Sequence, residues 1–255
     1  MAIEIFNRYE HKYKMNAETF HKALEVIDKH MELDKHCAGH SLYTIANIYY
    51  DTPDNALIRE SLSKPVYKEK LRLRSYGVPS ADTKVFLEIK KKVNGLVNKR
   101  RTVLKLSEAY DFIGSGKPPE IKEYMNAQVV RELEYFMRRY SLGPKVYIAY
   151  DRLAYFEKGN DDLRISFDTN IRTRRYDLAL ESGDHGTDLL SDDIWLMEIK
   201  TSRAMPLWLC KMLSDLNIRK TSFSKYGTEY HNMLRSAQNN TYYFVMTKPT
   251  YLNSI

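Results

Sequence analysis

The sequence predicts an α+β fold in which antiparallel strands close into a β-barrel, with helices packed outside the barrel and at its ends. The first observation is a set of strand-like segments that alternate apolar and charged residues, so that each strand has one apolar and one charged face. The second is that helical segments separate these strands, and the third is that one strand pair recurs in both halves of the chain. A barrel lets strands of this kind enclose a site that is not hydrophobic.

Composition limits the classes of protein to which the chain can belong. Its 255 residues, 43% apolar and 29% charged, suit one globular domain, expected at 1–236, with a polar, tyrosine-rich tail at 237–255. No apolar run approaches the roughly 18 residues of a membrane span, and no secretory signal is present, so a cytoplasmic protein is expected. Cys37 and Cys210 form no disulfide or zinc pattern. The net charge of +7 indicates an anionic partner.

The first quarter of the chain is predicted to form two strands and two helices. Residues 3–15 alternate as a strand, and Asn16 is a suitable N-cap for a helix that runs to about His30. Residues 42–51 form the next strand, which ends in the turn signal Asp-Thr-Pro-Asp. A short helix is expected at 55–62.

The next strand, 68–74, reads Lys-Glu-Lys-Leu-Arg-Leu-Arg and has the most informative pattern in the chain. Because side chains alternate across a strand, its leucines share one face and its cations share the other. The cationic face consists of Lys68, Lys70, Arg72 and Arg74. A solvated surface is the ordinary explanation of a charged face, but like charges repel one another. A row of cations without a carboxylate therefore favours a polyanion lying along this strand.

The middle of the chain is predicted to continue as a hairpin followed by two helices. The segments 84–92 and 96–106 alternate as strands, and the Asn-Gly pair at 94–95 is a typical hairpin turn between them. A short helix is expected at 107–116. A longer helix with an apolar stripe is expected at 120–140.

The second half is predicted to add strands at 145–153, 162–169 and 195–200, a helix at 205–216, and a short helix that ends at about Leu234. Two of these strands repeat an earlier pair. Leu-Arg-Leu-Arg-Ser and Leu-Glu-Ile-Lys in the first half correspond to Leu-Arg-Ile-Ser and Met-Glu-Ile-Lys in the second. The repeat indicates two related half-sheets.

If the barrel gathers the charged strand faces inside, its interior carries a large excess of positive charge. Burial disfavours charged groups, so this interior requires an anion, and arginine forks and lysine ammonium groups suit a chain of phosphates. Carboxylates beside phosphates require a divalent cation between them, which predicts Mg²⁺ or Mn²⁺. The expected cations are Lys12, Arg72, Arg74, Lys90, Lys99, Arg101, Arg152, Arg164, Lys200 and Lys225, and the carboxylates are Glu10, Glu88 and Glu198.

A set of motifs in order along the chain resembles a known family. The motifs are Glu10-x-Lys12, Tyr49-Tyr-Asp-Thr-Pro53, Arg72-Leu-Arg-Ser-Tyr-Gly77, Leu87-Glu-Ile-Lys90, Asn98-Lys-Arg-Arg101, Tyr150-Asp-Arg152, Arg164-Ile-Ser166 and Glu198-Ile-Lys200. They resemble the VTC domain, the polyphosphate polymerase domain of vacuolar transporter chaperone proteins, which belongs to the CYTH-like triphosphate tunnel metalloenzymes. The resemblance runs from about Phe6 to Leu234. It implies a tunnel of antiparallel strands in which a metal-dependent phosphotransferase moves the terminal phosphoryl group of ATP to a growing polyphosphate chain.

This resemblance, combined with the strand faces, defines the expected site. Its partners are ATP, inorganic polyphosphate, and pyrophosphate or phosphate, and its cofactor is Mn²⁺ or Mg²⁺. The expected catalytic cations are Lys12, Arg72, Arg74, Lys90, Arg152 and Arg164. Further phosphate contacts are expected from Lys70, Lys99, Arg101, Tyr150, Ser166, Lys200 and Lys225. Glu198 is the principal metal ligand, with Glu88 and Glu10 as further ligands.

The sequence departs from the family pattern at two positions. Arg8 stands where the wider tunnel family has the first glutamate of Glu-x-Glu-x-Lys, which argues against a second metal. Ser222 stands where the fungal catalytic domain has a further basic residue.

Two other functions remain open at this point. The same scaffold could hydrolyse tripolyphosphate or a nucleoside triphosphate, with water as the acceptor. A non-catalytic module that binds polyphosphate or nucleic acid is the other alternative, although we find no exposed aromatic platform or groove-reading helix and expect no nucleic-acid partner. No membrane span is expected in this chain.

Overall fold

A computed structural model describes residues 9–94 and 96–246 of the chain. In this part the strands belong to one antiparallel sheet. The strands are β1 (Tyr9–Asn16), β2 (Met31–Leu33), β3 (Tyr43–Asp51), β4 (Tyr67–Tyr76), β5 (Lys84–Val93), β6 (Leu96–Lys105), β7 (Gly143–Glu157), β8 (Asn160–Arg174), β9 (Thr187–Asp188), β10 (Ile194–Thr201) and β11 (Lys220–Thr221). The α-helices are α1 (Ala17–His30), α2 (Ala56–Leu62), α3 (Leu106–Ser115), α4 (Ala127–Arg139), α5 (Leu207–Asp215) and α6 (Lys225–Met246).

The sheet is strongly curved. Its strand order is β11-β1-β10-β8-β7-β3-β4-β5-β6, so six strand steps separate β1 from β5. A flat sheet with about 4.8 Å between strands would hold these two strands about 29 Å apart. Yet Lys90 Nζ on β5 lies 3.5 Å from Glu10 Oε2 on β1. The sheet therefore curls until the charged faces of its two halves meet across a concave interior.

The predicted α+β class with a large antiparallel sheet is confirmed. In the described residues, β6 and β11 end the strand path and are not paired with each other, so closure through the backbone is not observed. Side chains join the two halves instead, through the Lys90–Glu10 ion pair.

The two repeated strand pairs occupy equivalent places in the sheet. β4 and β5 are antiparallel neighbours on one side of the central β3–β7 pair, and β8 and β10 are antiparallel neighbours on the other side. This arrangement agrees with the two half-sheets that the repeated sequence predicts.

Local sequence signals set several boundaries as expected. Asn16 caps α1, because its side chain accepts a hydrogen bond from the Thr19 amide at 2.9 Å. Asn94, in the hairpin between β5 and β6, has a positive φ of 47°, a conformation that asparagine tolerates well.

Other boundaries differ from the prediction. α4 begins at Ala127 rather than at residue 120, since Asn126 provides its N-cap. β7 and β8 are longer than expected, and α6 continues to Met246 rather than ending at about Leu234. The predicted strand segment 3–8 and residues 247–255 of the predicted tail lie outside the described residues. The short strands β2, β9 and β11 were not predicted.

Apolar side chains on the outer face of the sheet hold the helices in place. Leu71, Leu73, Leu87 and Ile89 pack with residues of α3 and α4 in one core, and a second core joins α1 and α5 to β1, β7, β8 and β10. On the concave face, a third apolar cluster packs α2 and α6 against Ile45 of β3 and Ile148 of β7. The helices therefore cover the outside and one end of the curved sheet, and the charged face lies inside. No helix in the described part of the chain has the length and apolar character needed to cross a bilayer.

Candidate active site

Strand register gathers the predicted site residues on the concave face. In antiparallel pairs, residues directly opposite each other share a face, so Glu88 lies between Arg72 and Arg101, and Lys90 lies between Lys70 and Lys99. In the other half, the same rule places Glu198 between Lys12 and Ser166, and Lys200 between Glu10 and Arg164. These positions form three ionic clusters.

The first cluster surrounds Glu88, which is completely buried. Arg72 Nε donates to Glu88 Oε2 at 2.5 Å, while Arg74 Nη1 and Lys99 Nζ each lie 3.9 Å from Glu88 Oε1. Burial by itself would raise the pKa of Glu88, but Arg72, Arg74 and Lys99 outweigh it and hold the pKa well below its usual range. Glu88 therefore neutralises and positions these cations.

The second cluster joins Glu10 and Glu198. Lys12 Nζ lies 3.0 Å from Glu10 Oε1 and 3.9 Å from Glu198 Oε2, and Lys200 pairs closely with Glu198. Burial opposes ionisation of Glu10, yet Lys90 and Lys12 overcome both this effect and repulsion from Glu198, and lower its pKa to about 2. Both carboxylates are therefore ionised at neutral pH.

The third cluster surrounds Asp168, a residue that was not assigned to the site from the sequence. Arg152 donates to both carboxylate oxygens of Asp168, at 2.6 and 2.9 Å, and Lys225 at the start of α6 also donates to it. Tyr150 lies under the cations of this cluster, with Lys225 Nζ 4.1 Å from its ring centre. Burial would raise the pKa of Tyr150, but Arg74, Arg152 and Lys225 together lower it to about 8.

Asp168 and Asn47 are the site residues that sequence reasoning missed. Asn47 accepts a hydrogen bond from Arg74 Nε at 2.9 Å, so it orients this guanidinium group. A signal for Asp168 was present, because it lies two positions after Ser166 and strand alternation places it on the same face as this predicted site residue. Asn47 lies two positions before Tyr49, which belongs to one of the family motifs but was not itself predicted to be in the site.

Three further predicted residues make other contacts as well. Arg164 lies opposite Lys200 in the strand register, packs over Phe156 at 4.7 Å and lies 3.5 Å from Asp34. Ser166 is buried beside Glu198. Arg101 is exposed, and its guanidinium group packs over Phe86 at 4.6 Å.

Two lysines show that cations are in excess on the concave face. Burial lowers the pKa of Lys70 to about 8, and repulsion from Lys90, Lys68 and Lys12 adds to this effect. Burial also lowers the pKa of Lys99 to about 7, because the opposing influence of Glu88 is too weak to restore it. An ammonium group with a lowered pKa in such surroundings lacks sufficient negative charge nearby.

The donor set can be tested for its fit to a divalent cation. The described residues contain no group of three or more His, Cys, Asp or Glu side chains that could hold a metal ion. Glu10 and Glu198 are neighbouring ionised carboxylates, and a cavity of about 30 Å³ with Glu198, Lys12 and Asp168 in its lining lies beside them. Mg²⁺ and Mn²⁺ are commonly held by one or two carboxylates together with phosphate oxygens, so this pair fits such an ion. Glu88 fits less well, since it is completely buried and Arg72 donates a hydrogen bond directly to it.

The strongly curved antiparallel sheet with a cationic concave face defines a class of α+β protein whose site is suited to a polyanionic ligand. The chain belongs to the VTC domain family, whose model matches residues 7–234. The expected family is therefore confirmed, and the match covers most of the chain. Members of the triphosphate tunnel fold family handle triphosphate substrates, and the family typically uses divalent metals.

Solved structures show the same fold at low sequence identity. A putative adenylate cyclase from Bacillus halodurans has 13% identity and a TM-score of 0.51, over 86% of this chain and 96% of that chain. A putative adenylyl cyclase from Hippeastrum, described as having a dominant triphosphatase activity, has 13% identity and a TM-score of 0.53, over 88% of this chain and 96% of that chain. At this identity the likeness shows the fold alone. None of the curated proteins compared with this chain matches it.

Proposed function

We propose that the chain is a metal-dependent polyphosphate polymerase that transfers the terminal phosphoryl group of ATP to inorganic polyphosphate. The reaction takes place in the concave interior, which closes into a tunnel, and a single domain at residues 1–236 carries it. Membership of the VTC domain family supports this assignment.

The observation that carries the proposal is the excess of cations on the concave face, most of them half-buried. Cations from both half-sheets clearly outnumber the carboxylates on the concave face, namely Glu10, Glu88, Asp168 and Glu198. A protein interior does not retain such charge without a strongly anionic ligand, because burial penalises each unpaired charge. A chain of phosphates supplies negative charge at regular intervals along the strands.

The residues have distinct roles in this reaction. Phosphoryl transfer depends mainly on positioning and on neutralising charge, so a site without a nucleophilic side chain is suitable. Arg72, Arg74 and Arg152 bind the phosphates, while Glu88 and Asp168 hold these arginines in orientation. An oxygen of the terminal polyphosphate unit attacks the γ-phosphorus, the bond to the β–γ bridging oxygen breaks, and ADP leaves.

Lys12, Lys200 and Lys90 line the part of the site that contains Glu10 and Glu198. These two carboxylates would hold Mg²⁺ or Mn²⁺, which supplies neutralisation of charge on the phosphate oxygens. When a triphosphate binds, the lysines can move from the carboxylates to the phosphates.

The products formed from ATP and Mn²⁺ or Mg²⁺ test the proposal. We expect long anionic ladders on urea gels, together with ADP. Release of orthophosphate without any polymer would show instead that water is the acceptor, and the chain would then be a triphosphatase. The activity described for the Hippeastrum protein makes this the principal alternative. Binding without turnover would indicate a polyphosphate-binding module.

The affinity for tripolyphosphate is expected to fall as the pH rises above 7. The pKa of Lys99 is lowered to about 7 and that of Lys70 to about 8 in the free protein, and a bound anion raises both. Below pH 7 both lysines already carry their proton before the ligand binds, so binding requires no free energy for protonation. Above pH 7 the lysines must take up protons when the ligand binds. The free-energy cost of this protonation grows with pH until the pH reaches the pKa of the lysines in the bound state.

Titration calorimetry without metal, in buffers of different ionisation enthalpy, measures this proton uptake directly. We expect proton uptake at pH 8 and little at pH 6. The Lys99→Met variant should take up fewer protons at pH 8. An affinity independent of pH between 6 and 9, with no proton uptake, would contradict the prediction.

A further inference from the structure

One pair of inward-facing lysines lies beyond the clusters described above. Lys68 on β4 and Lys92 on β5 are directly opposite each other in the strand register. The neighbouring row on the same face contains Lys70, Lys90 and Lys99. The pair is therefore the next step of the cationic face towards the hairpin that joins β5 and β6.

In the part of the chain that the structure describes, neither lysine of this pair has a carboxylate partner. Among the described residues, no carboxylate lies within ion-pair distance of Lys68 or Lys92. Lys68 Nζ donates one hydrogen bond, at 2.9 Å, to the carbonyl oxygen of Ser61 near the end of α2. An ammonium group has three donors, so two remain for a ligand. Burial lowers the pKa of Lys68, and repulsion from Lys92, Lys64 and Lys90 adds to this effect.

The length of the cationic face exceeds the length of a triphosphate. At about 3.4 Å per residue, the segment of β4 from Arg74 to Lys68 spans about 20 Å. An extended triphosphate group is considerably shorter. A ligand that reaches from the arginines to the last lysine pair must therefore contain more phosphates than ATP or tripolyphosphate.

At the opposite end of β4 and β5, the inner face carries aromatic side chains. There the inner face carries Tyr76 and Phe86, whose rings lie 5.8 Å apart in an edge-to-face arrangement. Beyond Phe86, Lys84 is exposed and its ammonium group lies over the Tyr124 ring, 4.9 Å from the ring centre, so these aromatic rings interrupt the row of inward-facing cations at this end.

We propose that Lys68 and Lys92 form an additional phosphate subsite that binds linear polyphosphate beyond its third phosphate and so directs the longer chain towards the β5–β6 hairpin. This inference rests on the proposed function, since it extends the same phosphate-binding face. Lys68 and Lys92 therefore increase the affinity for long polyphosphate chains and do not contribute to the binding of a triphosphate.

Binding of two ligands to three proteins tests the subsite. The ligands are tripolyphosphate and a long-chain inorganic polyphosphate, and the proteins are the wild type, Lys68→Gln/Lys92→Gln and a control with the same change in charge, Lys91→Gln/Lys117→Gln. Lys91 neighbours Lys92 on β5 but belongs to the opposite face, and Lys117 is exposed in a loop. Titration calorimetry measures affinity per site without metal, and thermal unfolding verifies that each variant is folded.

We expect the wild type and the control to bind the long chain about tenfold or more tightly than tripolyphosphate, because each charge-assisted contact contributes substantially. The Lys68→Gln/Lys92→Gln variant should lose this preference and retain the wild-type affinity for tripolyphosphate. Unchanged long-chain affinity in this variant would overturn the subsite, and so would an equal loss for both ligands. If the wild type binds neither ligand, the proposed function fails as well, an outcome distinct from the others.

Discussion

Replacing Glu198 by glutamine is expected to lower the rate of polyphosphate synthesis about 100-fold or more while the protein remains folded. Glu198 is an ionised carboxylate that contacts Lys12 and Lys200 and lies next to Glu10. Glutamine keeps the shape of the side chain but removes the charge that a divalent cation requires and that orients both lysines. Loss of a single group that stabilises charge in a transition state typically has an effect of this size.

Initial rates of polymer formation with ATP and Mn²⁺ measure this effect, and thermal unfolding verifies the fold. The matched control is Glu18→Gln, the same change at an exposed position of helix α1, where Glu18 pairs with Lys22. We expect the control to keep the wild-type rate. A Glu198→Gln enzyme with a rate within a few-fold of the wild type would show that Glu198 is not part of the catalytic centre.

Replacing Glu88 by glutamine is expected to destabilise the free protein by about 3–5 kcal/mol, because the change leaves buried cations without their partner. Glu88 is fully buried and is the carboxylate that Arg72, Arg74 and Lys99 share. Tripolyphosphate can replace the missing negative charge. It should therefore stabilise the Glu88→Gln protein more than it stabilises the wild type.

Urea denaturation with and without tripolyphosphate measures both parts of this prediction. Glu60→Gln, on the exposed side of helix α2, is the control and should change the free energy of unfolding by less than about 0.5 kcal/mol. If the Glu88→Gln protein is as stable as the wild type without ligand, the cations do not depend on Glu88. Equal stabilisation of both proteins by tripolyphosphate would show that the ligand does not take over its role.

Much of the concave face could be predicted because strand alternation is a local property of the backbone. Lys70, Arg72 and Arg74 share a face wherever their strand lies in the fold, and the same holds for Glu88 and Lys90. Helix limits were less accurate where a capping residue decided them, as Asn126 does for α4. The VTC family was recognised from ordered motifs of this kind and is confirmed over residues 7–234.

The roles within the face could not be predicted from alternation. Glu88 and Glu198 occur in nearly identical strands, Leu-Glu-Ile-Lys and Met-Glu-Ile-Lys, and both were expected to bind metal. The structure surrounds Glu88 with Arg72, Arg74 and Lys99, whereas Glu198 lies close to Glu10. Only the neighbours on adjacent strands distinguish them.

The sequence by itself determined the long strands, the residues that share each of their faces and the excess of positive charge, because these depend on backbone periodicity and composition. The tertiary structure alone decided which cation meets which carboxylate. Lys225 reaches Asp168 across 57 positions of the chain, and Lys90 reaches Glu10 across 80. Such contacts form only when the sheet curls and α6 packs at the end of the sheet. The curvature of the sheet and the position of α6 depend on how the whole core packs rather than on any local sequence pattern.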